Sequence, residues 1–469
     1  MSIKMDILYW YVLIGQRADA GLQNISRIYD IMCTLGIFCR IIFVILQFLF
    51  ERAGTKEQVE YSMDYELLLN EIINIGKEMI KSGAETDRAE DSMYRMLESY
   101  DLEQCSVFAI QSNIQITIKP RGGPFITQIR RIHITGFHYD RLDYLNNLSR
   151  QICRDTPSVE EIREKFDEVM NRKPLPWYLQ FAAPILGGVG FGVYFGCDLM
   201  DTVVGIIICG AIEVYLGNML NKKEHNLVVY NLIIAFLSSA TVLLADKAGF
   251  GHHPDRIILG LTMVLISGLG VANGIRDVVK RAYLSGIVNI TNACLGAVAI
   301  ACGTGLAMLI FKGDMYEMYI APSIAVQVIS CGIASMGFAL VFKSAVRQSV
   351  YAGIGGAIIC IIYVVVQNLW GNDFAAVMAG SAFVAGYAFV MSRVHRAPAT
   401  IFLTTSIMPV IPGASLFYMM HGFVQADYDL ASQQAVQLAK ICLAVAFGFL
   451  LVEIVTRYVG EWKVAGTGR

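Results

Sequence analysis

The chain has 469 residues, of which 55% are hydrophobic and only 16% are charged, and its formal net charge is −2. Soluble domains carry about 25% charged residues, so this balance indicates a membrane protein. The pI near 6.4 and the net charge of −2 argue against nucleic acid as a partner. The eleven cysteines include no CxxC pair, which argues against a zinc site or a disulfide framework.

The first 55 residues allow two interpretations. The run IMCTLGIFCRIIFVILQFLF at 31–50 is about long enough to span a bilayer, but Arg40 lies inside it. A regular helical pattern begins only at Met63. The upstream segment is therefore either an extra helix or the product of an over-long gene start.

Residues 56–175 hold most of the charged side chains and predict a small α+β domain. Apolar residues at helical spacing predict two helices at its start and two at its end, with strands between them. The predicted helices are 63–83, 83–100, 140–154 and 158–171, and the predicted strands are a hairpin over 105–119 and a third strand over 125–137.

Residues 176–469 consist of apolar runs long enough to cross a bilayer. The predicted spans are 179–197, 202–220, 227–246, 256–274, 286–311, 319–341, 350–370, 373–391, 400–420 and 434–457. Lysine and arginine concentrate in alternate loops, which places both ends of this ten-helix core in the cytoplasm. Five helices in 176–312 and five in 313–469 predict two inverted repeats, because an odd number of helices inverts the second copy. The predicted fold is a polytopic α-helical membrane protein of two five-helix repeats, preceded by a small α+β cytoplasmic domain.

The segment SIMPVIPGASLFYMM at 406–420 contains helix breakers inside an apolar span: Pro409, Pro412 and Gly413. Backbone that leaves the helical path at membrane depth is tolerated where it lines a cavity or is buried in protein. Ser267 and Gly268 occupy the corresponding place in the first half. These breaks predict a substrate pathway, although a proline kink that serves packing alone is the competing interpretation.

Ionisable and amide side chains inside the spans are the other pathway candidates. Glu213 could carry a proton, whereas Glu453 has Arg457 four residues away and could form an ion pair on its own helix. Asn289 and Asn292 are predicted on one face of the fifth span. The remaining candidates are Asn231 and Asn273, for which helix packing is the alternative, and Arg276 with Asp277, a gate or a topology-setting charge. His252 and His253 are predicted to be solvated on an outer loop.

Four stretches resemble the threonine/serine exporter family: GAETDRAEDSMYRM (83–96), GLGVANGIRDVVKRAYLSGIVNITNA (268–293), HRAPATIFL (395–403) and IPGASLFYMM (411–420). The resemblance covers about 63–458. It implies export driven by an ion gradient, and some relatives split into two proteins are associated with succinate or dicarboxylate export. Ser267 stands where the family pattern has proline, which puts symmetric use of the two breaks in doubt.

The GAETDR stretch admits two interpretations. Its acidic residues and arginine could bind a cation or a polar substrate with hydrolase-like character, or they could simply stabilise a helix start. The residues concerned are Glu85, Thr86, Asp87, Arg88, Glu90 and Asp91.

The predicted function is a secondary transporter in the cell membrane that exports threonine and serine, with the proton as the expected coupling ion. A succinate or dicarboxylate exporter is the alternative, and a channel is more distant. No P-loop, HExxH or GxSxG motif occurs, so an enzyme is not expected. No cofactor or metal is expected; the partners are the lipid bilayer, a small polar metabolite and a proton, and a homo-oligomer stays open.

Overall fold

The computed structural model describes residues 64–132, 136–203, 210–221, 226–265, 268–279, 282–311 and 322–466. The two interpretations of residues 1–55 therefore concern a segment outside the described residues. From Tyr65 onward the chain forms one compact unit, so the charged N-terminal elements pack with the apolar helices that follow.

The charged region folds into four helices and a three-stranded sheet, as the sequence predicts. In chain order the elements are α1 (Tyr65–Lys81), α2 (Thr86–Glu98), β1 (Leu102–Ile110), β2 (Asn113–Pro120), β3 (Ile126–Arg131), α3 (Tyr139–Asp155) and α4 (Val159–Met170). The strands are antiparallel in the order β1-β2-β3, with Val107 opposite Ile116 and Ile116 opposite Gln128.

One face of this sheet packs against the helices. Ile114, Ile116 and Ile118 alternate along β2 and are fully buried, as are Leu69 and Ile72 on α1. The buried residues are two positions apart on the strand and three apart on the helix, which is the spacing expected of elements that share a core. We call residues 65–170 the soluble domain.

The apolar region is entirely helical where the structure describes it. Its helices are α5 (Trp177–Tyr194), α6 (Gly210–Asn221), α7 (Leu227–Lys247), α8 (Pro254–Leu265), α9 (Gly268–Val279), α10 (Tyr283–Phe311), α11 (Ile324–Val341), α12 (Val346–Trp370), α13 (Asp373–His395), α14 (Ala399–Ser406), α15 (Gly413–Val424) and α16 (Tyr428–Gly466). Each of the ten predicted spans overlaps one of these helices or a consecutive pair, although parts of three spans, at 204–209, 266–267 and 319–321, lie outside the described residues.

Six of the described helices are long and apolar enough to cross a membrane, namely α7, α10, α11, α12, α13 and the 428–456 part of α16. A seventh span results if α14 and the 408–424 segment are counted together, because they are bent by 44° at a short break. α6, α8 and α9 have only 12 described residues each. The prediction of ten spans is therefore supported in kind but not in number.

Glycines bring α5 and α11 into close contact. A Cβ atom on Gly190 would lie 2.4 Å from the backbone nitrogen of Ala334, and one on Gly337 would lie 2.5 Å from that of Gly187. As the chain advances from Gly187 to Gly190 on α5, the contacts move back along α11, so these two helices are antiparallel. The close approach removes the room for any side chain at the crossing.

Some helix contacts recur in both halves of the apolar region. α7 packs on α10 in the first half, and α13 packs on α16 in the second. Likewise α5 packs on α8, and α11 packs on α14. These pairs place the third helix of each half against the fifth, and the first against the fourth.

Candidate functional site

The soluble domain is joined to the membrane helices through Tyr139, the first residue of α3. This side chain is fully buried, and its hydroxyl lies 2.7 Å from Thr404 Oγ1 on α14. Its backbone amide donates to the carbonyl of Phe342 at 2.9 Å. The rings of Phe137, Tyr139 and Phe342 pack together, with centroids 4.7 to 5.7 Å apart. The contact is therefore a packed interface and not a loose tether.

A cavity of about 160 Å³ lies within this interface, and we call it the domain-interface cavity. From the soluble domain it is lined by Glu85, Thr86, Asp87, Gln111 and Tyr139. From α9, α10 and α14 it is lined by Asn273, Asp277, Asn289, Thr400 and Thr404. The acidic motif and the intramembrane polar residues, predicted separately from the sequence, thus meet in one place.

Hydrogen bonds cross this cavity from one domain to the other. Gln111 donates from Nε2 to Asn289 Oδ1 at 2.6 Å, and Asn289 donates from Nδ2 to Asp277 Oδ2 at 3.1 Å. Thr400 on α14 donates to Glu85 Oε1 at 3.4 Å. The lining offers carboxylates that accept hydrogen bonds and amides that can donate or accept, which suits a small ligand carrying both an ammonium and a carboxylate.

A wider opening of about 510 Å³ adjoins the same motif and reaches α13, α14 and α16. Glu85, Asp87 and Thr400 line it as well as the domain-interface cavity, and Arg88 and Asp91 line only the opening. Glu453 on α16 also lines it and is exposed there. The opening therefore adjoins the domain-interface cavity and extends along the flank of the helix bundle.

The predicted break in the 400–420 span is present. α14 ends at Ser406, a short 3₁₀ turn covers Met408–Val410, and α15 begins at Gly413, with Pro412 at its N-cap. Prolines 409 and 412 cannot donate backbone hydrogen bonds, and that accounts for the interruption. The break opens on a second cavity of about 200 Å³, which we call the break cavity.

The break cavity is lined by both polar and apolar side chains. Pro409 and Pro412 line it at the break. The polar side chains in the lining are Tyr194, Tyr363, Asp373, Ser415 and Gln437. Thr400 and Thr404 on α14 line the domain-interface cavity, and the break that follows α14 lines the break cavity, so a single interrupted helix reaches both cavities.

Several predicted residues lie elsewhere or outside the described part of the chain. Ser267 lies outside the described part, and so do the side chains of Glu213 and Arg276. Gly268 is the first residue of α9. Asn231 is buried on α7, and its amide would lie 3.2 Å from a Cβ atom on Gly296 of α10, which favours the packing interpretation. Asn292 is exposed, and of these two asparagines only Asn289 lines the domain-interface cavity, so their shared functional face stays a prediction.

The acidic motif divides into two groups by position. Glu90 accepts a hydrogen bond from the Ala109 amide on β1 at 2.9 Å and therefore joins α2 to the sheet. Burial raises the pKa of Glu90, while this hydrogen bond acts to lower it. Glu85 Oε2 lies 3.8 Å from Arg88 Nε, and this is the ion pair that the helix-start interpretation predicts. Glu85 also lines the domain-interface cavity and the wider opening.

The loop histidines are more constrained than predicted. His252 is exposed, but its Nδ1 lies 2.5 Å from Asp198 Oδ2, and His253 Nδ1 lies 2.8 Å from Asp201 Oδ2. Asp201 is fully buried and also accepts the His252 amide at 2.6 Å. The hydrogen bond to Asp198 raises the pKa of His252. These bonds lock the loop after α5 to the loop before α8.

Asp198, Asp201 and His252 each place a possible metal-ligand atom within 4.8 Å of those of the other two. Among the described residues this is the only group of three or more His, Cys, Asp or Glu side chains that could hold a metal ion. The hydrogen bonds already noted account for this grouping. The eight described cysteines are free.

The residues that sequence reasoning missed were polar but ordinary in their local context. Gln111 lies in a hairpin turn, and Thr400 and Thr404 are common helix residues that often bond their own backbone. Asp373 and Gln437 lie at or near the first residues of the predicted spans 373–391 and 434–457, where polar residues are common. Only the contacts between distant segments distinguish them.

Comparison with known proteins agrees with this arrangement. A family model described as "Putative threonine/serine exporter" matches residues 71–311, and a second, "Threonine/Serine exporter, ThrE", matches residues 327–455. The chain belongs to the threonine/serine exporter family.

The two family matches divide the chain close to the predicted boundary between its halves. The first match includes most of the soluble domain and helices α5 to α10. It therefore contains Gln111, Asp277 and Asn289. The second includes the broken helix. A "Probable threonine/serine exporter" of Mycobacterium tuberculosis (strain ATCC 25618 / H37Rv) is 22% identical over 405 residues, which is 82% of this chain and 76% of that relative. No solved structure matches.

Proposed function

We propose that this member of the threonine/serine exporter family moves threonine, serine or a closely similar small zwitterion out of the cell by alternating access, driven by a proton gradient. The observation that carries the proposal is the interrupted helix α14–α15. Its beginning lines the domain-interface cavity and its break lines a second cavity. The eight residues of α14 correspond to about 12 Å, somewhat less than half of a bilayer core of about 30 Å.

The helix packing supports ten spans in two inverted repeats. Third-on-fifth and first-on-fourth contacts recur in both halves. The first helices of the halves, α5 and α11, are antiparallel, as inversion requires. In this arrangement α5, α6 and the α8–α9 pair supply the spans that are too short or too polar to be recognised singly.

The soluble domain is proposed to lie on the cytoplasmic side. Asp140 donates its amide to the carbonyl of Lys343, in a loop whose basic residues predict a cytoplasmic location. Substrate would then reach the domain-interface cavity from the cytosol, through the wider opening beside Asp91 and Glu453.

The lining of the domain-interface cavity favours a zwitterion over a dicarboxylate. Glu85, Asp87 and Asp277 place negative charge there, which attracts an ammonium group and repels a second carboxylate. Export of succinate therefore has no support from this cavity.

A matched pair of variants tests whether the domain-interface cavity lies on the export path. Asn289→Ala and Asn292→Ala make the same change three residues apart on α10, but only Asn289 lines the cavity. In proteoliposomes loaded with labelled threonine, serine or succinate under an imposed proton gradient, we expect Asn289→Ala to reduce threonine efflux at least fivefold and Asn292→Ala to leave it unchanged. Equal efflux from both variants would remove the cavity from the pathway.

Glu213 is proposed as the proton carrier. Glu213→Gln removes its charge with little change in size, and we expect gradient-driven efflux to fall while threonine counterflow without a gradient continues. Efflux that responds to the gradient as in the parent protein would eliminate this role.

A further inference from the structure

The break cavity contains a carboxylate that nothing in the sequence singled out. Asp373, the first residue of α13, is half-buried and lines the cavity between the broken helix and α16. Tyr363 donates its hydroxyl to Asp373 Oδ1 at 3.1 Å, and Gln437 donates from Nε2 to Oδ2 at 3.3 Å.

Both of these donors are neutral, and none of the ion pairs among the described residues includes Asp373. An ionised carboxylate offers about four lone-pair positions, of which these two bonds use two. Phe191, Met263 and Val377 supply apolar wall nearby, so water is partly excluded and charge interactions are strengthened. Asp373 is held in place without a cationic side chain paired to it among the described residues, which makes it a position for a ligand cation.

The cavity also offers a place for a negative group. Ala414 and Ser415 belong to the first turn of α15 and line the same cavity. Amide hydrogens in the first turn of a helix have no acceptor within the helix, and they carry the positive end of its dipole. A carboxylate is stabilised at such a position.

We propose that the break cavity binds the backbone groups of an α-amino acid, with the ammonium at Asp373 and the carboxylate at the first turn of α15. This assignment rests on the proposed function and identifies its substrate class by the two charged groups. The cavity, about 200 Å³, is smaller than the roughly 300–1,000 Å³ of pockets for drug-sized ligands, as a ligand of amino-acid size requires.

A purely structural role for Asp373 would be to stabilise the start of α13 through the helix dipole. Asp429 also lies in the first turn of its helix, as the second residue of α16, but it is exposed and does not line the cavity. Asp429→Asn is therefore a control for loss of a first-turn acid. Asp373→Asn removes in addition the charge that faces the cavity.

The test is threonine binding to the purified full-length chain in detergent, measured by calorimetry. We expect Asp373→Asn to weaken threonine binding at least tenfold and Asp429→Asn to leave it within twofold. Threoninamide, which keeps the ammonium, should lose affinity in Asp373→Asn, whereas 3-hydroxybutyrate, which lacks it, should not.

A second variant probes the other end of the site independently of Asp373. Ser415→Asp adds a negative charge at the third residue of α15, a position where helices favour acidic residues, so the variant should fold. It should weaken threonine binding at least tenfold through repulsion of the carboxylate, with threoninamide binding retained.

The outcomes separate the two proposals. If the parent chain binds no amino acid, the proposed function fails and this inference fails with it. If the parent binds threonine but Asp373→Asn binds it equally well, or Ser415→Asp weakens threonine and threoninamide alike, the inference is overturned while the proposed function stands.

Discussion

Asp143 on α3 predicts a pH-dependent contact between the soluble domain and the membrane helices. Gln348 on α12 donates from Nε2 to Asp143 Oδ2 at 3.0 Å. The remaining oxygens of the pair, Asp143 Oδ1 and Gln348 Oε1, are both buried and have no hydrogen-bond partner among the described residues. Two buried acceptors without a donor are costly, and a proton on the carboxyl would supply the missing donor.

The expected magnitude follows from the acidity of this group. Burial raises the pKa of Asp143 from 3.8 to about 6, with the charge of Asp140 adding to the effect and Gln348, Arg150 and Arg172 opposing it. Each pKa unit is worth about 1.4 kcal/mol, so the difference corresponds to about 3 kcal/mol. Because the pKa is higher in the folded chain, the stabilising contribution is complete below pH 3.8 and is lost as the pH rises through 6.

The perturbation is Asp143→Asn, which keeps an oxygen to accept from Gln348 and carries no charge at any pH. We expect this variant to be more stable than the parent by up to about 3 kcal/mol at pH 8, with the advantage disappearing near pH 4. The assay is thermal unfolding of the detergent-purified full-length chain at several pH values between 4 and 8.

Asp140→Asn on the same helix is the control. Asp140 lies 3.5 Å from Arg172, an ion pair that is partly exposed and worth about 1 kcal/mol or less. This variant should be slightly less stable than the parent at pH 8. A stability difference between Asp143→Asn and the parent that does not change with pH would refute the reasoning about the buried carboxyl.

Two further predictions concern close packing. Gly190→Ala would place a Cβ atom 2.4 Å from the backbone nitrogen of Ala334, so it should lower the free energy of unfolding by about 1–3 kcal/mol. A Cβ atom at Gly386 on α13 meets nothing within 4 Å, so Gly386→Ala should be neutral or raise the free energy of unfolding by up to about 1 kcal/mol. Thermal unfolding of the two variants in detergent tests this, and equal effects would contradict the helix contact. Tyr139→Phe removes the hydroxyl bonded to Thr404 while keeping the packed ring, so it should cost about 1 kcal/mol and increase proteolysis between the soluble domain and the helices. Unchanged proteolysis would indicate that this hydrogen bond does not hold the domain in place.

Local features of the chain were predictable because they depend on nearby residues. The apolar period of three to four predicts α1, and the alternation of residues 105–119 predicts the hairpin that β1 and β2 form. The break at Pro409 and Pro412 follows from the missing amide hydrogens alone. Composition and hydropathy also indicated the membrane class.

The candidate site was predictable only in parts. Glu85 and Asp277 were chosen separately, for an acidic helix start and an intramembrane charge. The two residues line one cavity only because the start of α2 and helix α9, almost two hundred residues apart in the chain, lie close together in the folded protein. Asn292 shows the limit of helical spacing as evidence: it is three residues from Asn289, yet the rotation between them is enough to place it on the exposed side of α10.

The sequence by itself determined which segments are helices, where one of them must break and which family the chain resembles, because these depend on backbone chemistry and short-range spacing. Only the tertiary structure decided that Gln111 bonds Asn289, that Asp373 faces the break and that the loop histidines pair with two aspartates, one of them fully buried. Such contacts join residues far apart in the chain, and their partners are selected by the packing of whole helices.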